Sequence, residues 1–126
     1  MNTLTLPKAY LLRKKSEYNN VYQHGKRVHG KNFSLILLPN NVTHNRLGIS
    51  IHGQLKGAAK RNRIKRIIKE FFRLNKRFLQ EKSSKSCEFP YMDIVITVRQ
   101  GFSLENPADV AGAVNRLLDS SRPLFQ

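Results

Sequence analysis

Six cations stand between positions 60 and 69, Lys60, Arg61, Arg63, Lys65, Arg66 and Lys69, and one amide, Asn62, lies between two of the arginines. Guanidinium groups stay charged at any working pH and grip phosphate through paired N–H donors, while ammonium groups bind as point charges. Such residues hold a polyanion; they do not move protons. Asn62 offers both a donor and an acceptor, so it can hydrogen-bond a base edge or a 2′-hydroxyl, or it can cap or solvate a helix start. Groups that could break a bond are dispersed. His24, His29, His44 and His52 show no H-E-x-x-H spacing, and Cys87 has no second cysteine with which to share a metal or a disulfide. Glu17, Glu70, Glu81, Glu88, Asp93, Glu105, Asp109 and Asp119 are scattered, whereas a two-metal nuclease needs converging carboxylates. The serines lack an activating neighbour, and the glycines at 25, 30, 48, 53 and 57 fit neither a P-loop nor a dinucleotide fingerprint. The residues read as a binder with no catalytic set and no metal site.

The cations need a rigid support, and the periodicity from Gly57 to Leu79 predicts one. Ile64, Ile67, Ile68, Phe71, Asn75, Phe78 and Leu79 recur at helical spacing on one side, which reads as the core face. Asn62, Arg66, Lys69, Arg73, Lys76 and Arg77 fall opposite, with Arg61, Arg63 and Lys65 at the boundary. A single helix from Ala58 to Leu79 would carry this positive strip for about 33 Å. Only Glu70 dilutes it. A solvated helix normally mixes signs at i,i+4, whereas like charges at that spacing cost a few tenths of a kcal/mol each. The bias therefore points to an anionic partner rather than to solvation alone.

The whole chain carries the same bias: 126 residues, 23 Lys and Arg against 8 Asp and Glu, and a formal charge of +15. Nucleic acid, an anionic membrane or an acidic protein would each suit that balance. No apolar run approaches membrane-spanning length, and the N-terminus lacks a continuous apolar segment with a cleavage site, so a cytoplasmic protein is expected. The length suits one domain over residues 1–126, with 1–9 and 120–126 as loose ends.

Further elements can be read in order. Ser16 is placed to cap a short helix on which Tyr18, Val21 and Tyr22 share a face, ended by Gly25. The tyrosine hydroxyls favour a partly open site over a sealed core. Asn32–Leu38 reads as a strand, Arg46–His52 as a second with one apolar and one small or polar face, and Tyr91–Val98 as a third. Glu81–Glu88 has the composition of a loop. Asn106 caps a last helix with Pro107 in its first turn, and Val110, Ala113, Val114, Leu117 and Leu118 form its stripe. The order is α-β-β-α-β-α, a single α+β sandwich, and the strands flanking the long helix can pair in parallel.

Arg61-Asn62-Arg63-Ile64-Lys65-Arg66, with Gly57-Ala58-Ala59-Lys60 before it and Ile67 to Arg73 after it, resembles the signature helix of the bacterial ribonuclease P protein subunit. The likeness extends to Leu11–Val28, to Arg46–Ile51 and to Asp93–Ile96, in the family's order. It implies a mixed sheet with a fourth short strand and a left-handed βαβ crossover. It also implies a ribonucleoprotein endoribonuclease in which the RNA subunit, with Mg²⁺ at its own active site, removes the 5′ leader of precursor tRNA. The protein subunit is then an accessory, inactive alone, binding no cofactor and needing no protein partner. Carried over by position, Arg61, Asn62, Arg63, Lys65 and Arg66 bind the catalytic RNA with Arg73 on the same face, and Lys69 fits either surface. Tyr18, Tyr22, Phe33 and Ile36 form the leader cleft, although Phe33 reads equally well as core. The chain departs from the pattern at Gly53-Gln54-Leu55-Lys56, where two lysines are usual, and at Gln100. A basic structural RNA-binding protein of ribosomal type would share the composition without the processing role, and an independent nuclease would cleave with no RNA partner.

Overall fold

A computed structural model describes residues 6–51, 57–81 and 90–120. A 3-10 turn at Lys8–Tyr10 leads into α1 (Lys15–His24), β1 (Lys26–His29), β2 (Phe33–Pro39) and β3 (Arg46–Ile51). Then come α2 (Ala58–Leu74), α3 (Phe78–Glu81), β4 (Met92–Val98) and α4 (Pro107–Ser120). The strands form one sheet in the order β1-β2-β4-β3, antiparallel at β1/β2 and β2/β4 and parallel at β3/β4. The parallel pair is the one joined through α2, as expected for a strand–helix–strand unit. The Gly53–Lys56 departure and Cys87 lie outside the described residues.

The sheet is covered on both faces, which explains why β2 and β4 are apolar on both sides. Phe33, Leu35, Leu37, Ile94, Ile96 and Val98 point into the larger core with α2 and α4. Ile36 and Val95 point the other way, under Leu12 and Val21 of the α1 side.

The long helix departs from the expectation of a continuous element to Leu79. It stops at Leu74, because Asn75 sits at φ −135°, ψ 49° and turns its amide onto Phe71: Nδ2 donates to the Phe71 carbonyl at 2.9 Å, and its N–H bonds Phe72 O at 3.1 Å. An asparagine side chain that competes for helix carbonyls in this way tightens and ends the turn. A short turn then leads into α3, and Phe78 packs its ring 5.3 Å from Phe71. Phe72, absent from the expected stripe, is fully buried. Because α2 packs against both the sheet and α4, it needs a wider apolar face than a helix laid on one surface.

Two further expectations change. Lys14, not Ser16, is the N-cap of α1, and Glu17 reaches back to the N–H groups of Arg13 and Lys14 at 2.8 and 3.0 Å. Residues 6–9 are not loose: Leu6 is buried in the main core, and the Ala9 carbonyl is 2.8 Å from Nε2 of His44. The C-terminal helix forms as expected, with Asn106 Oδ1 accepting from the Asp109 N–H at 2.9 Å. Gly57, at φ +97°, starts α2 from a conformation that side-chain-bearing residues rarely adopt.

Candidate nucleic-acid interface

On α2 the apolar ridge Ile64, Ile67, Ile68, Phe71 and Phe72 faces inward, so the residues between must face out. Lys60, Asn62, Arg63, Lys65, Arg66 and Lys69 are exposed, and Arg61 is half-buried. None of these side chains makes an ion pair with another described residue. The first turn, Ala58 to Arg61, contains no acid and carries Lys60 and Arg61, cations at the positive end of the helix dipole. Local electrostatics thus disfavour this helix until an anion lies against it.

The free strip is shorter than the sequence implied. Arg73 is held by Glu70, its Nε 2.9 Å from Oε1 and its Nη2 on Oε2, so the pair neutralises itself. The break at Asn75 also redirects the last two cations. Lys76 Nζ lies 4.9 Å above the Tyr10 ring, and the Arg77 guanidinium 5.8 Å above Tyr91. The cations from Lys60 to Lys69 remain together.

The second surface lies on the opposite face of the sheet. Tyr18 packs against Gly48, where an added Cβ would meet its ring at 2.7 Å, and its hydroxyl accepts from the Ile49 N–H at 3.2 Å. Burial pushes the phenol pKa up, offset in part by that bond. The Tyr22 ring lies 6.4 Å from Tyr18, with the Arg27 guanidinium 6.0 Å from its centroid. Ile36 is buried beneath them, only 1% exposed.

Phe33 does not join this group. It is buried on the other face of the sheet, 6.4 Å from the Phe102 ring. Side chains alternate along a strand, so positions 33 and 36 must point to opposite faces; parity alone could have removed Phe33 from the cleft. Arg27 was missed because its strand is short and weakly patterned, yet the register Arg27↔Ile36 puts it on the tyrosine face.

Apolar packing of Val21, Tyr18 and Tyr22 on Ile36 and Val95 seats α1 on the sheet, and an ionic network ties down its first turn. Arg46 bridges Asp93, with Nε–Oδ1 and Nη2–Oδ2 both 2.7 Å, and reaches Glu17 Oε2 at 3.4 Å. The Lys14 and Arg13 N–H groups, with Arg46 adding to them, hold the Glu17 carboxyl below its ordinary value of 4.5. A carboxyl whose folded pKa is depressed stabilises above its unfolded value and loses that contribution as pH falls through the folded one. As pH falls below that ordinary value, the Arg13 and Lys14 amides are therefore expected to lose protection relative to their intrinsic exchange rates, and Glu17→Gln should lack this acid step. Identical acid profiles by amide NMR would exclude Glu17 as the origin.

Among the described residues, no three or more His, Cys, Asp or Glu gather in a way that could hold a metal ion, and no helix is long and apolar enough to cross a membrane. The Ribonuclease P family model matches residues 6–122. The chain belongs to that family. Ribonuclease P protein component of Desulfotalea psychrophila is 46% identical over 93% of this chain and 90% of its own length. That of Syntrophus aciditrophicus is 42% identical over 94% and 92%. The structure of Staphylococcus aureus RNase P protein superposes with a TM-score of 0.70 at 28% identity, covering 94% of this chain and 100% of that one. RNase P protein from Thermotoga maritima gives 0.68 at 25% identity, over 86% and 94%. The ribonuclease P family thus accounts for the four-stranded mixed sheet packed with helices. Its members' shared role, a protein subunit in tRNA 5′ processing, extends to this chain at family level.

Proposed function

We propose that the exposed basic face of α2 binds the catalytic RNA of ribonuclease P, while the Tyr18–Tyr22 side of α1 takes the single-stranded 5′ leader of precursor tRNA. The RNA, with its Mg²⁺, supplies the hydrolysis, and the protein acts in the cytoplasm without another protein partner. The observation that carries this reading is the separation of two unlike surfaces by one sheet: unpaired cations on α2, and two half-buried aromatic rings on α1. Cations suit phosphate at any sequence, and aromatic faces stack unpaired bases with little preference, as variable leaders require. The scatter of histidines and carboxylates along the chain fits a partner that carries the chemistry.

Cleavage of precursor tRNA at low Mg²⁺ tests the assignment with three samples: catalytic RNA alone, protein alone, and both. Only the mixture should cut efficiently. A protein without effect on the RNA is a structural RNA binder, and a protein that cuts alone after ribonuclease treatment is a nuclease.

The aromatic surface makes a narrower demand. Tyr18→Ala and Tyr22→Ala should spare assembly with the catalytic RNA and weaken precursor binding by roughly 1–3 kcal/mol per lost stacked base. That loss should vanish when the leader is trimmed to one nucleotide. Each variant needs a melting curve first, because truncating a half-buried ring also costs stability. Equal losses for long-leader and leaderless substrates would refute the aromatic assignment.

A further inference from the structure

The basic face of α2 does not end at the helix. Residues 6–11 run beside it and leave a groove of ≈ 900 Å³ between this segment, α2 and the start of α4. Its walls are of two kinds. Leu6 and Ile67 are buried and Leu11 and Pro107 half-buried, so apolar atoms form the floor. Lys8 on one side and Lys65, Arg66 and Lys69 on the other are exposed, so the rim is cationic, with Asn62 among them. The carboxylate of Glu70 also lines the groove, but Arg73 neutralises it.

We propose that this groove takes one unpaired nucleotide of the catalytic RNA, its base against the apolar floor and its flanking phosphates on Lys8 and the α2 cations. The proposal rests on the assignment of α2 to the catalytic RNA and adds a binding residue, Lys8, outside the helix. The chemistry selects this occupant. A duplex presents phosphate to the rim and leaves the floor unused, because its bases are stacked inside. An unpaired nucleotide offers an apolar face and a charge together, and RNA recognition generally exploits such extruded bases. The volume lies within the range of about 300–1,000 Å³ common for small-ligand sites. Asn62 supplies the amide for the base edge. The catalytic RNA is preferred to the leader because the groove flanks α2, across the sheet from Tyr18 and Tyr22.

The test places a photo-cross-linker at position 8 or at position 66, through Lys8→Cys or Arg66→Cys in a Cys87→Ser chain, and maps labelled nucleotides in the complex with catalytic RNA. Position 8 should label a nucleotide unpaired in the RNA secondary structure, and position 66 its neighbours. Lys8→Ala should weaken assembly about tenfold and lower the salt slope by about 1, as for one lost phosphate contact. Labelling at position 66 with none at position 8, and unchanged affinity for Lys8→Ala, would overturn the groove while leaving α2 as the RNA face. No labelling at either position would overturn both. Labelling only of paired nucleotides would make the groove a duplex contact and end the proposal. So would a Lys8→Cys thiol that polyglutamate, but not the RNA, protects from a soluble thiol reagent, a result that would indicate an acidic protein instead.

Discussion

Affinity for the catalytic RNA is expected to fall steeply with salt, with a slope of log K against log salt of about −4 to −5. Six cations between Lys60 and Lys69 keep their charge free of any counter-ion among the described residues, and each phosphate they neutralise releases about 0.7–0.9 of a condensed ion. Arg63→Ala and Arg66→Ala should each weaken assembly by about 1–3 kcal/mol, the range for a lost charge-assisted contact, and Arg66→Glu should flatten the slope further. Arg73→Ala should cost much less, since its guanidinium already belongs to Glu70. Filter binding across a salt series measures wild type and all four variants. A wild-type slope near −1 would reduce the strip to a solvated surface, and an Arg73 effect equal to that of Arg66 would mean that the Glu70 pair opens on binding.

Arg46→Ala should be the most destabilising of the polar substitutions, by about 3–5 kcal/mol, the range for breaking a buried pair. Asp93 is 4% exposed, and without Arg46 its carboxylate would retain, among the described residues, only the Asn40 amide, 3.0 Å from Oδ1. A loss of this size lowers Tm by on the order of 10 °C in a chain this long. Because Arg46 also reaches Glu17, the same change should loosen α1 and hence the tyrosine surface. Replacing both partners, Arg46→Met with Asp93→Leu, should recover much of the stability, since no buried charge is then left unpaired. Urea denaturation of wild type and the two variants decides the matter. A double variant no more stable than Arg46→Ala would show that packing, rather than the orphaned carboxylate, sets the cost.

Several elements were legible because their determinants are local. The stripe from Ile64 to Phe71 and the cations between its members follow from side-chain type at helical spacing, so the core face and the basic face of α2 come from one repeat. The capping of α4 by Asn106 is likewise a contact within a single turn. Periodicity misses an effect such as the break at Asn75, where hydrophobic spacing continues smoothly into Phe78 and Leu79. There a side-chain amide competing for the Phe71 carbonyl overrides a pattern that only counts apolar positions.

Legible in the sequence by itself were the basic face of the long helix and the resemblance to the ribonuclease P family, because residue types and short-range spacings are enough for each. Tertiary structure alone decided which cations stay free. It sets Lys76 over Tyr10, and it brings Lys8 across from Lys65 to shape a groove no local pattern announces. It also joins Arg46 to Asp93, 47 positions apart, through the parallel register of β3 and β4. These contacts depend on strand order and on how helices stack over the sheet, and such long-range pairings have no periodic signature in the chain.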